Sequence, residues 1–348
     1  MYSSGEEIAL EKRQVGTTGA RVRPPPSPLK ITEKEFLMLR QCRRIGNSFF
    51  ILREFAFGFY IRIFIMEENE TKEGKHMPST YAHYRMGQEV REKLSGDAKT
   101  IIEKRPELYL IGLHGPDILF YYKPLSSNAV NSIGYGLHGK TGRSFLENAS
   151  DVIEKSTDKE GALSYVYGVL NHFALDVTCH KYVDEKIKES GVSHAEIEVE
   201  FDRYLMLLDG LNPVKHSLTG HIRPTKENAG VITGFYTGTT EQEVLKALRS
   251  MIFYNKLLLA ENNVKRKIIL DILRKTGNYE EMHGLIVNPS GNPLCRDSNE
   301  KLFSLYQTAV ERGKDFITDF MQIYRGEKPY PDVFELTFAG IPESEEKR

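Results

Sequence analysis

The chain has 348 residues, 40% of them hydrophobic and 27% charged, with a formal net charge of −1. That length holds one large domain or two smaller ones, and the balanced charge supplies no bulk field for nucleic acid or an anionic membrane. Three cysteines, Cys42, Cys179 and Cys295, are too few and too widely spaced for a disulfide framework and fit a reducing compartment.

Residues 1–76 differ in character from the rest. The first 30 contain the run RPPPSP and no apolar periodicity, a pattern that reads as disorder. Asn47 to Met66 is strongly apolar, but Arg53, Glu54 and Arg62 argue against a transmembrane span. The stretch is internal and lacks a small-residue cleavage site, unlike a signal peptide. Lys72-Glu73-Gly74 can be encoded by a purine run of ribosome-binding type just upstream of Met77. Translation from Met77 would make 1–76 a misassigned extension; N-terminal sequencing of the native protein tests this, and peptides from 1–76 would refute it.

From Met77 onward helical patterns dominate. An amphipathic pattern over about 88–103 follows His83, and Gly115-Pro116 marks a turn or helix start beside His114 and Asp117. A polar loop is expected at 126–132, then His138, then a helix from about 143 to 154. A long helix from about 161 to 190 is broken by Gly191. Ser193 to Glu196 has capping-box spacing and opens the next helix, towards Leu208. Residues 209–228 read as a loop. Thr240 to Glu243 is a second capping box, opening a helix to about 261; a shorter helix follows near 264–276, and a final helix spans 299–325. The run VKRKIILDILRK is basic and amphipathic; membrane-surface use is one reading, but a helix packed on the core with a solvated charged face is the expected one. The tail from Gly326 is irregular. No run alternates like a strand for long and no internal repeat occurs, so 77–348 is expected to form one all-α domain.

The chemistry concentrates in histidine. Eight of the ten histidines fall between His83 and His221. His172, Asp176 and His180 stand at i, i+4 and i+8, and His194 and Glu198 at i, i+4. Residues four apart share a helix face, so His172 and Asp176 can grip one metal ion. His180 lies about 12 Å along the axis from His172, which requires a second ion and lets the middle carboxylate bridge. With His83, His114, Asp117 and His138 these make nine candidate nitrogen and oxygen ligands. Imidazole plus carboxylate favours zinc, and closely spaced metals suit phosphate-ester hydrolysis. No nucleophile elbow, Walker loop, dinucleotide fingerprint or adjacent His-Asp pair competes. His216 and His221 sit in a loop with no carboxylate partner, and His76 and His283 are isolated; none is assigned. Cys179 reads as a small buried hydrophobe.

These residues resemble the bacterial zinc-dependent phospholipases C. That family is all-α and its long-helix signature is H-x-x-x-D, a second histidine, then H-x-x-x-E on the next helix. Here the match is His172 to Asp176, His180, and His194 to Glu198, with His83, Gly112 to Asp117 and His138 upstream in the same order, over about 78–205. The resemblance implies two or three zinc ions and cleavage of a phospholipid or related phosphodiester. It implies that His138, His172 and Asp176 hold one zinc, that Asp176 bridges to a second held by His83, and that His180, His194 and Glu198 hold a third. Asp117 would be the general base, or would orient the attacking water, and His114 would be a ligand or would orient one. Single-strand nucleases of the fungal type are similar in fold and metal set, so a nuclease or phosphomonoesterase stands as an alternative, as does a non-catalytic metal-binding protein. The family places ten residues and a proline between its two long-helix histidines; here the step is eight, without proline. Ile118 follows Asp117 where choline-specific members have an aromatic, so choline specificity is not carried over. With no signal peptide or transmembrane helix, a cytoplasmic enzyme is expected, meeting the inner membrane leaflet or soluble phosphodiesters, with no nucleic-acid or protein partner implied unless the nuclease alternative holds.

Overall fold

The computed structural model describes residues 79–345, apart from 125 and 276–278. The expectations for 1–76 lie outside the described residues. Among the described residues there are twelve α-helices and no strand, only two isolated bridges, Thr141 with Thr337 and Leu336 with Pro342. The all-α class expected from the periodicity is therefore the class observed. No helix among them is long and apolar enough to cross a membrane.

The centre is α6, Lys159–Ser190, 32 residues long. It starts where the Asp158 side chain accepts from the Gly161 amide and ends at Gly191, which takes a left-handed φ of 69°. Every residue from Gly161 to Val177 is buried. A helix apolar all round has to be enclosed, and α1 (Tyr81–Lys93), α3 (Pro106–Gly112), α5 (Gly142–Lys155) and α12 (Arg296–Tyr324) pack about it.

Two features bring the chain close enough to α6 to build a site. The first is a glycine crossing: a Cβ on Gly112 would run into the Tyr165 carbonyl, and one on Gly168 into the Tyr109 carbonyl. The bare backbones let α3 lie against α6 and feed directly into a 3-10 helix, Gly115–Tyr121, that carries Asp117. The second is a cap supplied from a distance. No side chain of its own segment caps α1; instead Asp202 on α7 (His194–Leu208) accepts from the Thr80, Tyr81 and Ala82 amides at 3.0, 2.9 and 2.7 Å, and from the Ser79 hydroxyl. This carboxylate takes the place of an N-cap residue and ties the helix bearing His83 to the helix bearing His194 and Glu198.

The amphipathic pattern over 88–103 is split between α1 and α2 (Gly96–Lys104), because Leu94 and Ser95 turn extended and Gly96 adopts a φ of 67°. The expected loop at 126–132 gives way at 129 to α4 (Ala129–His138): Asn128 and Asn131 form a reciprocal capping box, so polar residues start a helix here. Beyond α7 come α8 (Lys226–Thr233), α9 (Glu241–Leu258, opened by the Thr240–Glu243 box), α10 (Asn263–Lys275) and α11 (Tyr279–Met282). After α12 the tail is short turns, with a 3-10 helix at Asp332–Glu335 and Phe338 almost fully buried.

Candidate metal centre

Five imidazoles and three carboxylates converge from five elements. His83 comes from α1, Asp117 from the 3-10 helix, His138 from the end of α4, His172, Asp176 and His180 from α6, and His194 and Glu198 from the first turns of α7. They form three groups able to hold a metal: His83, His172 and Asp176; Asp117, His138 and His172; and His180, His194 and Glu198. Within each group the candidate ligand atoms lie within 4.8 Å of one another.

Asp176 occupies the middle. Its Oδ1 is 3.3 Å from His83 Nε2 and 3.7 Å from His180 Nε2, and its Oδ2 is 3.0 Å from His172 Nε2. Glu198 Oε1 is 3.1 Å from His194 Nε2 and 3.6 Å from His180 Nε2. Asp117 places Oδ1 at 2.8 Å from His138 Nε2 and Oδ2 at 3.7 Å from His172 Nε2. The helical rise thus separates His172 and His180 into different groups, and the uninterrupted α6 still delivers His180 to α7 without a proline. The grouping divides the residues differently from the expected partition at one point: His138 lies against Asp117, and His172 joins His83.

All five imidazoles turn Nε2 inward. Two have a visible reason. His138 Nδ1 is 3.0 Å from the Gly134 carbonyl, and His180 Nδ1 is 3.0 Å from the Phe338 carbonyl. A neutral ring has one N–H; spending it on a carbonyl leaves Nε2 as a lone-pair donor. The Phe338 ring also lies against the rings of His138, His172 and Phe173, closing the site from the tail.

Close approach here does not mean satisfied hydrogen bonding. His83 Nδ1, both ring nitrogens of His172 and Asp117 Oδ1 are buried without a hydrogen-bond partner. Buried polar atoms are rarely left so. Carboxylate oxygens and imidazole lone pairs aimed at shared points are what a divalent cation requires, and a mixed nitrogen–oxygen set suits zinc.

Electrostatics agree with that geometry. Burial, the largest influence on His83, pulls its imidazole down, but Asp176, with Asp117 and Glu198 behind it, outweighs this and the net shift is upward. His138 behaves likewise through Asp117. His180 is pushed up to about 10, Asp176 and Glu198 overcoming burial. Asp176 and Glu198 are held below the usual carboxylate range: burial opposes this, but His172 and His180 around the first, and His194 and His180 around the second, prevail. The carboxylates thus demand positive charge, as protons or as metal.

His114 belongs to none of the three groups. Its Nε2 is 2.8 Å from His221 Nε2, and His221 in turn stacks on Tyr84 at 4.3 Å. Burial drives His114 well below its ordinary value, helped by His221, His83 and His172. His221 falls to about 4 through burial and then Arg223. Two neutral rings can share one hydrogen bond, one donating and the other accepting. The His114 carbonyl also accepts from the Asp117 amide at 3.0 Å. His221 was passed over in the sequence because its partner is 107 residues away and not a carboxylate. Asp202 and Phe338 carried no local signal either. His216 packs edge-on against Tyr81 and Cys179 is buried; neither enters a group.

Residues 82–247 match the family model for zinc dependent phospholipase C. Over this stretch the chain is similar to the zinc-dependent phospholipases C. No curated protein and no solved structure gives a significant match. The matched stretch contains every member of the cluster from His83 to Glu198, and extends past the 78–205 span of the motifs. It stops short of Phe338, so the tail that orients His180 lies outside it. The match supports zinc as the metal and hydrolysis of phospholipid as the coarse activity.

Proposed function

We propose that this domain hydrolyses a phosphodiester bond of phospholipids at this cluster, with two or three zinc ions held by His83, His138, His172, Asp176, His180, His194 and Glu198. The observation that carries the reading is His172. It is fully buried, its Nδ1 has no hydrogen-bond partner, and its Nε2 faces Asp117 and Asp176 at 3.7 and 3.0 Å within the family-matched stretch. Zinc bound there supplies Lewis acidity, lowering the pKa of water towards neutrality and drawing charge from phosphate oxygens.

The chain's own residues supply the rest. Two or three divalent ions against Asp117, Asp176 and Glu198 leave the pocket net positive, which favours an anionic phosphate. Asp117 is the catalytic carboxylate: held by the 3-10 helix against His138, it orients the attacking water and takes its proton. His114 and His221 stay neutral beside it and do not compete for that proton. A small cleft lined by Leu218, Leu258, Leu259 and Leu285 together with Thr80, Asp202 and Asn255 reaches Tyr121, four residues past Asp117.

The test pairs metal analysis with a substrate panel on the full chain prepared without chelators. Two or three zinc per chain are expected, with turnover of a phospholipid and a generic phosphodiester. Asp117→Asn should lower kcat by about 10²–10⁴-fold while zinc content holds. Less than one zinc per chain would sink the site, a loss of one zinc in Asp117→Asn would make Asp117 a ligand, and cleavage of single-stranded DNA without phospholipid turnover would move the assignment to a nuclease.

A further inference from the structure

Residues 246–275 stand out by charge. They hold eight lysines and arginines against two acids, in a chain whose net charge is −1. They form α9 from Lys246 onward and α10. Along α9, Lys246, Arg249, Phe253 and Lys256 are all exposed, Phe253 at 40%. Their spacing of three, four and three residues puts them on one helical face. On α10, Val264 is 69% exposed and Lys267 is exposed. The two helices are fastened where they meet: Lys265 Nζ donates to the carbonyls of Lys256 and Leu259.

The helix bearing this face lies against the 3-10 segment that carries Asp117, and Asn255 Nδ2 donates to the Tyr121 hydroxyl at 3.2 Å. Lys246 Nζ stands over the Tyr122 ring. The end of α9 supplies Leu258 and the following Leu259 to the small cleft at Tyr121. Cations interspersed with exposed apolar side chains match the boundary of an anionic bilayer. The cations meet headgroups while Phe253 and Val264 enter the acyl boundary. Phe253, between Arg249 and Lys256, meets the Tyr254 ring edge-on at 5.2 Å and keeps 40% of its surface exposed.

We propose that the exposed face of α9, continued by the start of α10, docks the protein on an anionic phospholipid surface and so presents lipid to the metal centre. This rests on the proposed phospholipid hydrolysis for its purpose, but its test does not. Co-sedimentation of the full chain is measured with vesicles of phosphatidylcholine alone and with vesicles containing phosphatidylglycerol. The comparison protein carries Arg249→Gln, Lys256→Gln and Lys267→Gln, so any contribution from residues 1–78 is common to both. At about fivefold per cation near a charged surface, the triple variant should lose about 100-fold in partitioning onto the anionic vesicles and little on the neutral ones. A second variant, Phe253→Ser, should weaken binding to both. Zinc content and turnover of a soluble short-chain phosphodiester are read alongside as checks on folding and chemistry. Equal partitioning of wild type onto the two vesicle types, or a zinc-replete triple variant that binds anionic vesicles as wild type does, would overturn the docking face. Absent turnover with intact anionic binding would overturn the hydrolase reading and leave the face standing.

Discussion

At the scale of single residues, the spacing of His172, Asp176, His180, His194 and Glu198 was legible because a helix converts sequence separation into distance. Nothing comparable links His114 to His221, since their meeting depends on how a loop packs. That pair provides a test. His221→Phe keeps the stack on Tyr84 but removes the hydrogen-bond partner of a buried ring, which costs about 1–3 kcal/mol. Denaturant unfolding should show that loss while zinc content stays unchanged. A fall in zinc content would instead make His221 part of the metal-binding set.

At the scale of elements, caps and breakers placed α6, α7 and α9 within a few residues, because Gly191, Ser193 and Thr240 act locally. α4 was hidden because its cap is built from asparagines inside a polar stretch, and the cap of α1 because it arrives from α7. Asp202 is 2% exposed, and burial raises its carboxyl above the usual range even though Ser79 and the amides of Tyr81, Ala82 and Thr80 favour the charged form. Asp202→Ala leaves the first amides of α1 uncapped, and a loss of about 2 kcal/mol follows. Because α1 carries His83, zinc affinity should fall as well, measurable by competition with a chelating dye. Full stability and full affinity in this variant would show that α1 is held by packing alone.

At the scale of the whole molecule, the cluster couples metal, protons and folding. The ordinary histidine value is 6.5, and His180 is raised to about 10 in the fold. Its contribution to stability is therefore fully present below 6.5 and is lost as pH rises through about 10; His83 and His138 shift in the same direction. Asp176 and Glu198 are depressed from 3.8 and 4.5, so their contribution is present above those values and is lost as pH falls through the folded ones. The metal-free domain should have its cluster-derived stability maximum between about 4.5 and 6.5. Thermal melts of chelator-treated protein should show Tm falling from about pH 6 to pH 9, and the increment from added zinc growing over the same range as protons cease to compete. A metal-free Tm that rises across that range would contradict the charge arrangement.

The carbonyl that aims His180 belongs to Phe338, 158 residues further along the chain. Every histidine and carboxylate of the cluster has been translated long before that carbonyl exists. A growing chain can gather the first two groups of ligands around α6, but the carbonyl that fixes the His180 ring arrives only once residue 338 has been made. Completion of the metal centre is thus a late event in the life of each molecule, and a nick in the short tail would return a finished protein to its half-made condition.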